Sequence, residues 1–157
     1  MPTEGLELAN EAVGLLERSG ARMYLSRVYG VIAEIDLIRG RYAEGLGESE
    51  KALRVSSEIG ESFCVSRVLQ TRAMLIRAID SQDSSIELTL RQSLELAIIQ
   101  GAKALELRAA IRLADLWICQ GKRDQARNLL RPICDWFTEG HDTPDFQQAA
   151  EMLKRLE

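Results

Sequence analysis

Gly20, Gly60 and Gly101 stand 40 and 41 residues apart, and the residue types around them recur at matching offsets. Eight positions before each comes a small residue (Ala12, Ala52, Ser93), and seven before an apolar one (Val13, Leu53, Leu94). Seven positions after come Arg27, Arg67 and Arg108. A second set of breakers, Gly40, Asp80-Ser81 and Gly121, falls about twenty residues after each of the first. Self-similarity with a period of about 20–50 residues marks a repeat architecture. Stacked repeats make extended binding surfaces more readily than enclosed active sites.

Between the breakers the apolar residues follow a helical period. Leu6, Ala9, Val13 and Leu16 form one stripe over residues 4–19, with Leu8, Ala12 and Leu15 beside it, the mark of a helix with a wide buried face. Gly20 suits the left-handed residue that ends such a helix. The spacing predicts further helices over 22–39 (Leu25, Val28, Tyr29, Ile32, Ile35 and Ile38 inward), 42–59, 62–79, 85–100, 103–120 and 123–137, with a turn from Asp80 to Ser84. Connections of a few residues make neighbouring helices antiparallel. After Gly140, Thr143 is the predicted N-cap and Pro144 the first helical residue of a short amphipathic helix over 144–156. Its apolar residues are Phe146, Ala149, Ala150, Leu153 and Leu156, and it suits a terminal cap.

The expected architecture is therefore all-α: eight helices as antiparallel pairs in a right-handed superhelix, within one domain over residues 1–157. Its units run from about 4–20, 21–60, 61–101 and 102–140, followed by the capping helix. The chain opens on what reads as the second helix of a unit without its first, so an upstream continuation is expected. Without one, the apolar face of residues 4–19 would drive self-association, most simply as a two-fold homodimer.

The 157 residues suffice for one domain with a real core, and 46% of them are apolar. A net charge of -4, with Lys and Arg spread evenly, argues against nucleic acid and a membrane surface as partners. The three cysteines, Cys64, Cys119 and Cys134, are odd in number and lack a CxxC spacing. Buried free thiols in a reducing compartment, and so a cytoplasmic protein, are expected. Glu4, Glu7 and Glu11 interrupt any N-terminal signal-like run.

Several positions match the helix-pair signature W-x₂-L-G-x₂-Y, A-x₃-F, P. They are Ala110, Leu113, Ala114 and Trp117, then Gly121, Ala126 and Leu130; more partially, Tyr29, Ile32, Ala33, Gly40-Arg41-Tyr42 and Ala52-Leu53; and a degenerate set of Ala73, Ile86 and Leu90. On these residues the chain resembles tetratricopeptide repeats, with units longer than the usual length of about 34 residues. Three stretches, Glu106 to Ala110, Leu113 to Trp117 and Trp136 to Asp145, resemble more particularly the C-terminal tetratricopeptide region of bacterial signalling ATPases. Those proteins carry adenylate/guanylate cyclase or winged-helix modules and an ATPase module upstream. The resemblance implies a scaffold or sensor part. Gly121-Lys122-Arg123 lacks the upstream glycine and the Ser/Thr of a phosphate-binding loop, so no parent enzyme activity carries over to these residues.

His141 is the only histidine, which leaves a His-based metal site or triad almost nothing to draw on. No cofactor, metal or catalytic residue is expected. Asp142 and Asp145 beside Glu139 read as capping groups for the last helix, with weak cation binding as the alternative. Trp117 reads as core, and one ring of Trp136-Phe137 as packed under the capping helix, with an exposed aromatic anchor as the alternative. The candidate binding residues are polar positions on the first helix of each pair: Arg27 and Glu34, then Arg67 and Thr71, then Arg108, Arg112 and Asp115. Gly30, Gln70, Met74 and Cys119 share their stripes. Arginines at equal offsets suit a groove for an acidic peptide or a carboxylate, since guanidinium pairs bidentately. The competing reading pairs each arginine with a carboxylate on a neighbouring helix. The expected function is a non-catalytic module that binds a protein or peptide, an acidic one being the candidate partner, or couples a signal to upstream domains. The alternatives are a small-molecule sensor and a self-association module.

Overall fold

The structure, a computed structural model, describes residues 2–157, with side chains from Glu4 onward. It is all-helical: α1 (Pro2–Ser19), α2 (Leu25–Ile38), α3 (Tyr42–Ile59), α4 (Val65–Ile79), α5 (Ser85–Ile99), α6 (Lys103–Cys119), α7 (Arg123–Trp136) and α8 (Pro144–Leu156). A single 3-10 turn, Arg22–Tyr24, precedes α2, and no strand occurs among the described residues.

The repeat is visible in the backbone at the helix ends. Gly20, Gly40, Gly60, Gly101 and Gly121 all have φ between 63 and 76°. After each, the next residue's N–H reaches back to the carbonyl five positions earlier: Ala21 to Leu16, Arg41 to Asp36, Glu61 to Ser56, Ala102 to Ala97 and Lys122 to Trp117. These are Schellman caps, which satisfy carbonyls the helix leaves unpaired. Gly60 shows why the residue is glycine: its φ of 69° is one that side chains rarely adopt, although nothing crowds its missing Cβ. Asp80 ends α4 differently, in extended conformation, and its side chain accepts the Gln82 N–H at 2.9 Å.

Two helices begin later than the periodicity suggests. α2 starts at Leu25 because Arg22–Tyr24 forms the 3-10 turn, and α4 starts at Val65. Before α4, Glu61 Oε1 accepts the Cys64 N–H at 3.2 Å, holding the preceding turn. Ile38 was expected inward but is 75% exposed, because it lies at the last residue of α2 where the chain turns away. Ala150 likewise faces solvent on α8, while Ala149, Leu153 and Leu156 are buried.

The chain divides into two compact units, one ending at Thr89 and the other running from Leu90 to Glu157. In the first, α2 packs on α1, α3 and α4, and α3 also packs on α4. Glycine permits the close approaches: a Cβ on Gly30 would sit 2.9 Å from Val68 Cγ2, and one on Gly45 2.8 Å from Leu75 Cδ2. Polar groups are built into this core. Ser26 and Ser56 hydroxyls share a 2.6 Å hydrogen bond between α2 and α3, and buried Asp36 takes an ion pair from Arg41 at the start of α3. Arg72 on α4 donates to Ser49 and Glu50 of α3, each at 3.2 Å. Ala9 of α1 is buried, whereas Leu8 and Leu15 are 66% and 54% exposed.

In the second unit α6 packs on α7 and α8, and α7 on α8. Its core gathers Leu113, Ala114 and Trp117 of α6, Ala126 and Leu130 of α7, and Ala149, Leu153 and Leu156 of α8. Trp117 is 6% exposed, as expected for core, with the Arg91 guanidinium 4.9 Å from its ring centroid. The end of α8 is tied to α7, where Arg123 donates to the Arg155 carbonyl and Arg131 pairs with Glu157 at 2.8 Å.

Candidate binding cleft

The polar stripe of the first unit lies at the seam between α2 and α4. Gly30 meets Val68 there, and Gln70 and Thr71 are almost wholly buried. Arg67 reaches across to α2 and grips Glu34 bidentately, with Nε and a terminal nitrogen 2.7 and 2.6 Å from the two carboxylate oxygens. That carboxylate pushes the guanidinium pKa further up. The Thr71 hydroxyl lies 3.4 Å from the same carboxylate and 3.3 Å from the Arg67 carbonyl. Arg27 is exposed on α2, and its positive charge is felt at the Cys64 thiol. Of the four candidate positions in this unit, Glu34, Arg67 and Thr71 thus form one interhelical cluster. A pair as exposed as Arg67–Glu34 contributes about 0–1 kcal/mol, and it leaves little free positive field for an anion.

In the second unit Arg108 is paired too, its Nε 2.6 Å from Asp145 Oδ2 on α8. Asp145, read from the sequence as a cap, therefore ties α8 to α6. Arg112 and Asp115 are half-buried on α6 and neither is free. Thr143 occupies the N-cap of α8 and Pro144 the first turn, as expected, yet the Thr143 side chain makes no cap bond. Its hydroxyl donates instead to the Gly140 carbonyl at 2.8 Å, closing the preceding turn.

The Arg108–Asp145 pair borders a cleft of about 470 Å³ between the start of α6 and the α7–α8 connection. Ala104 and Leu107 come from α6, Trp136 and Phe137 from the end of α7, and Glu139 and Pro144 from the connection and α8. The aromatic residues form a chain. Trp136 and Phe137 meet edge-on at 5.2 Å and 85°, and Phe137 meets Phe146 at 6.0 Å and 71°. His141 lies against Phe146 at 4.5 Å with the rings tilted by 42°, and its Nε2 lies 3.0 Å from the Phe137 carbonyl, so the turn residue braces the connection. Phe137 is the half-buried ring of the pair. Trp136 stays 56% exposed, with the Lys103 ammonium 5.2 Å from its ring centroid.

A cleft of this size, largely apolar with a few charged groups at its rim, has the makeup of a ligand site. The sequence pointed to Trp136 only as an alternative anchor, and nothing in the periodicity joined it to Leu107, some thirty residues earlier. The available signal was two adjacent aromatics at a helix end followed by a Gly-His-Asp-Thr-Pro turn. Among the described residues no group of His, Cys, Asp or Glu side chains could hold a metal ion.

The cysteines divide by environment. Cys134 is buried, Cys64 half-buried and Cys119 exposed at the end of α6, so the expectation of three buried thiols fails for Cys119. Burial, and then the charge of a neighbouring carboxylate, pushes the Cys64 and Cys134 thiols up. Among the described residues no helix is long and apolar enough to cross a membrane. The chain matches no known protein family, and no curated protein shows significant similarity to it.

Proposed function

We propose that this chain is a non-catalytic helical-repeat module of tetratricopeptide type that binds a protein or peptide segment. In this reading it serves a multidomain bacterial signalling protein in the cytoplasm. The observation that carries the binding reading is the cleft of the second unit, where Trp136 stands largely exposed beside an apolar floor. A large aromatic at the edge of a pocket is the usual form of a binding hot spot, because it offers much area at little entropic cost. The five matching helix caps support the repeat reading, since each ends a helix with the same local design. The paired state of Arg67 and Arg108 weighs against an acidic partner held in an arginine groove and moves the binding reading to the cleft.

The test is a peptide-display selection on the full chain, with Trp136→Ala as counter-target. Enriched peptides that bind the wild type in solution and lose at least about tenfold in affinity on Trp136→Ala support the reading. A selection that enriches nothing over the counter-target sinks it.

A further inference from the structure

We infer that the cleft of the second unit takes a basic side chain, an arginine or lysine carried between apolar residues of a partner peptide. This rests on the peptide-binding reading above and adds the chemistry of the occupant. Three observations converge on it.

The first is charge. The charged groups in the lining are Arg108, Glu139 and Asp145, one cation against two carboxylates, and the neighbouring Lys103 is matched by Glu106 at 2.7 Å. Arg108 is already engaged by Asp145 at 2.6 Å, so the carboxylate left over is Glu139. Opposite charge in a cleft with low-dielectric walls attracts a cation and repels an anion. The second is the wall. Trp136 and Phe137 stand nearly perpendicular, at 85°, and both line the cleft. Aromatic faces attract ammonium and guanidinium groups through the ring quadrupole, tryptophan most strongly. The third is a cation already accommodated beside the indole: the Lys103 ammonium sits 5.2 Å from the Trp136 centroid while paired with Glu106 at 2.7 Å. An incoming guanidinium would find the same ring, 56% exposed, with Glu139 nearby and Leu107 and Ala104 beneath to receive flanking apolar side chains.

The experiment uses the full chain and three capped, fluorescently labelled peptides: leucine-arginine-leucine, leucine-lysine-leucine and leucine-glutamate-leucine. Fluorescence anisotropy titrations at low salt should show the arginine and lysine peptides binding at least about tenfold tighter than the glutamate peptide, with the difference shrinking as salt is added. Trp136→Ala should weaken the arginine peptide by about tenfold and Glu139→Gln by about threefold. Asp145→Asn should release Arg108 and move the preference toward the glutamate peptide. Glu139→Gln, at an exposed connection, keeps the test valid if either of the other variants disturbs the fold. Equal or tighter binding of the glutamate peptide, indifference to Glu139→Gln and Trp136→Ala together, or no binding by any of the three would overturn the inference. Display-selected peptides that bind through Trp136 but carry no basic residue would overturn it while leaving the peptide-binding reading intact.

Discussion

Gly45 and Gly47 lie two residues apart on α3, and replacing each by alanine should move stability in opposite directions. Alanine lowers the entropic cost of a helix interior by up to about 1 kcal/mol relative to glycine, and this gain applies to both sites. At Gly47 nothing lies within 4 Å of the added Cβ, so the gain stands alone. At Gly45 the Cβ would meet Leu75 Cδ2 at 2.8 Å, Leu75 Cδ1 at 3.2 Å and Asp36 Cβ at 3.2 Å. Leu75 is 0% exposed, so its side chain has no free space to swing into, and Asp36 Cβ is held close to the α2 backbone. Overpacking of this kind costs about 1–3 kcal/mol, which leaves Gly45→Ala up to about 2 kcal/mol less stable after a helix gain of about 1 kcal/mol. For a chain of this length a change of 1 kcal/mol moves the melting temperature by about 2–4 °C. Thermal melts followed by circular dichroism should therefore place Gly45→Ala below wild type, by up to about 8 °C, and Gly47→Ala slightly above it. If both variants melt higher, the α2–α3–α4 packing at Gly45 is looser than described and the reasoning fails.

Trp117→Ala should cost about 3–5 kcal/mol by opening a cavity among α6, α7 and α8; a melt like the wild type would place this ring outside the core. Asp36→Asn, which removes the charge that Arg41 pairs with inside the first unit, should cost about 1.5–3 kcal/mol in urea unfolding, and an unchanged midpoint would show the pair to be dispensable. Thiol alkylation of the native chain near neutral pH should modify Cys119 quickly and Cys64 and Cys134 slowly. Raised thiol pKa values leave less thiolate at a given pH, so the slow phases should accelerate only as pH climbs above the ordinary thiol range. Three equal rates would contradict the burial assigned to them.

Much of the helical order was legible because it is written in local chemistry. A glycine that must adopt positive φ, and an apolar residue every three or four positions before it, are properties of a short stretch of chain. The helix ends at Gly20, Gly40, Gly60, Gly101 and Gly121 could therefore be read without knowing any tertiary contact. The same reasoning placed Trp117 in the core, since a large apolar residue on the buried stripe has no competing environment.

The stripe of Arg27, Gly30 and Glu34 shows where local reading stops. Periodicity marks which residues share a helix face, and it is silent on whether that face meets solvent or another helix. Gly30 shares the polar stripe by spacing, and packing makes it the contact point with Val68. Partner choice is equally a tertiary matter. Glu34 stands 33 residues before Arg67, and Asp145 stands 37 after Arg108, so only the packing of α2 on α4 and of α6 on α8 could bring each pair within hydrogen-bond reach. The cleft belongs to the same class, for its walls are supplied by residues from Ala104 to Asp145 that no repeat offset relates. Local sequence determined where the glycine-capped helices end and which face is apolar, because backbone dihedrals and side-chain spacing are set by near neighbours. Tertiary structure decided which charges are spent on one another and which aromatic is left facing solvent, because those outcomes depend on distant residues competing for the same space.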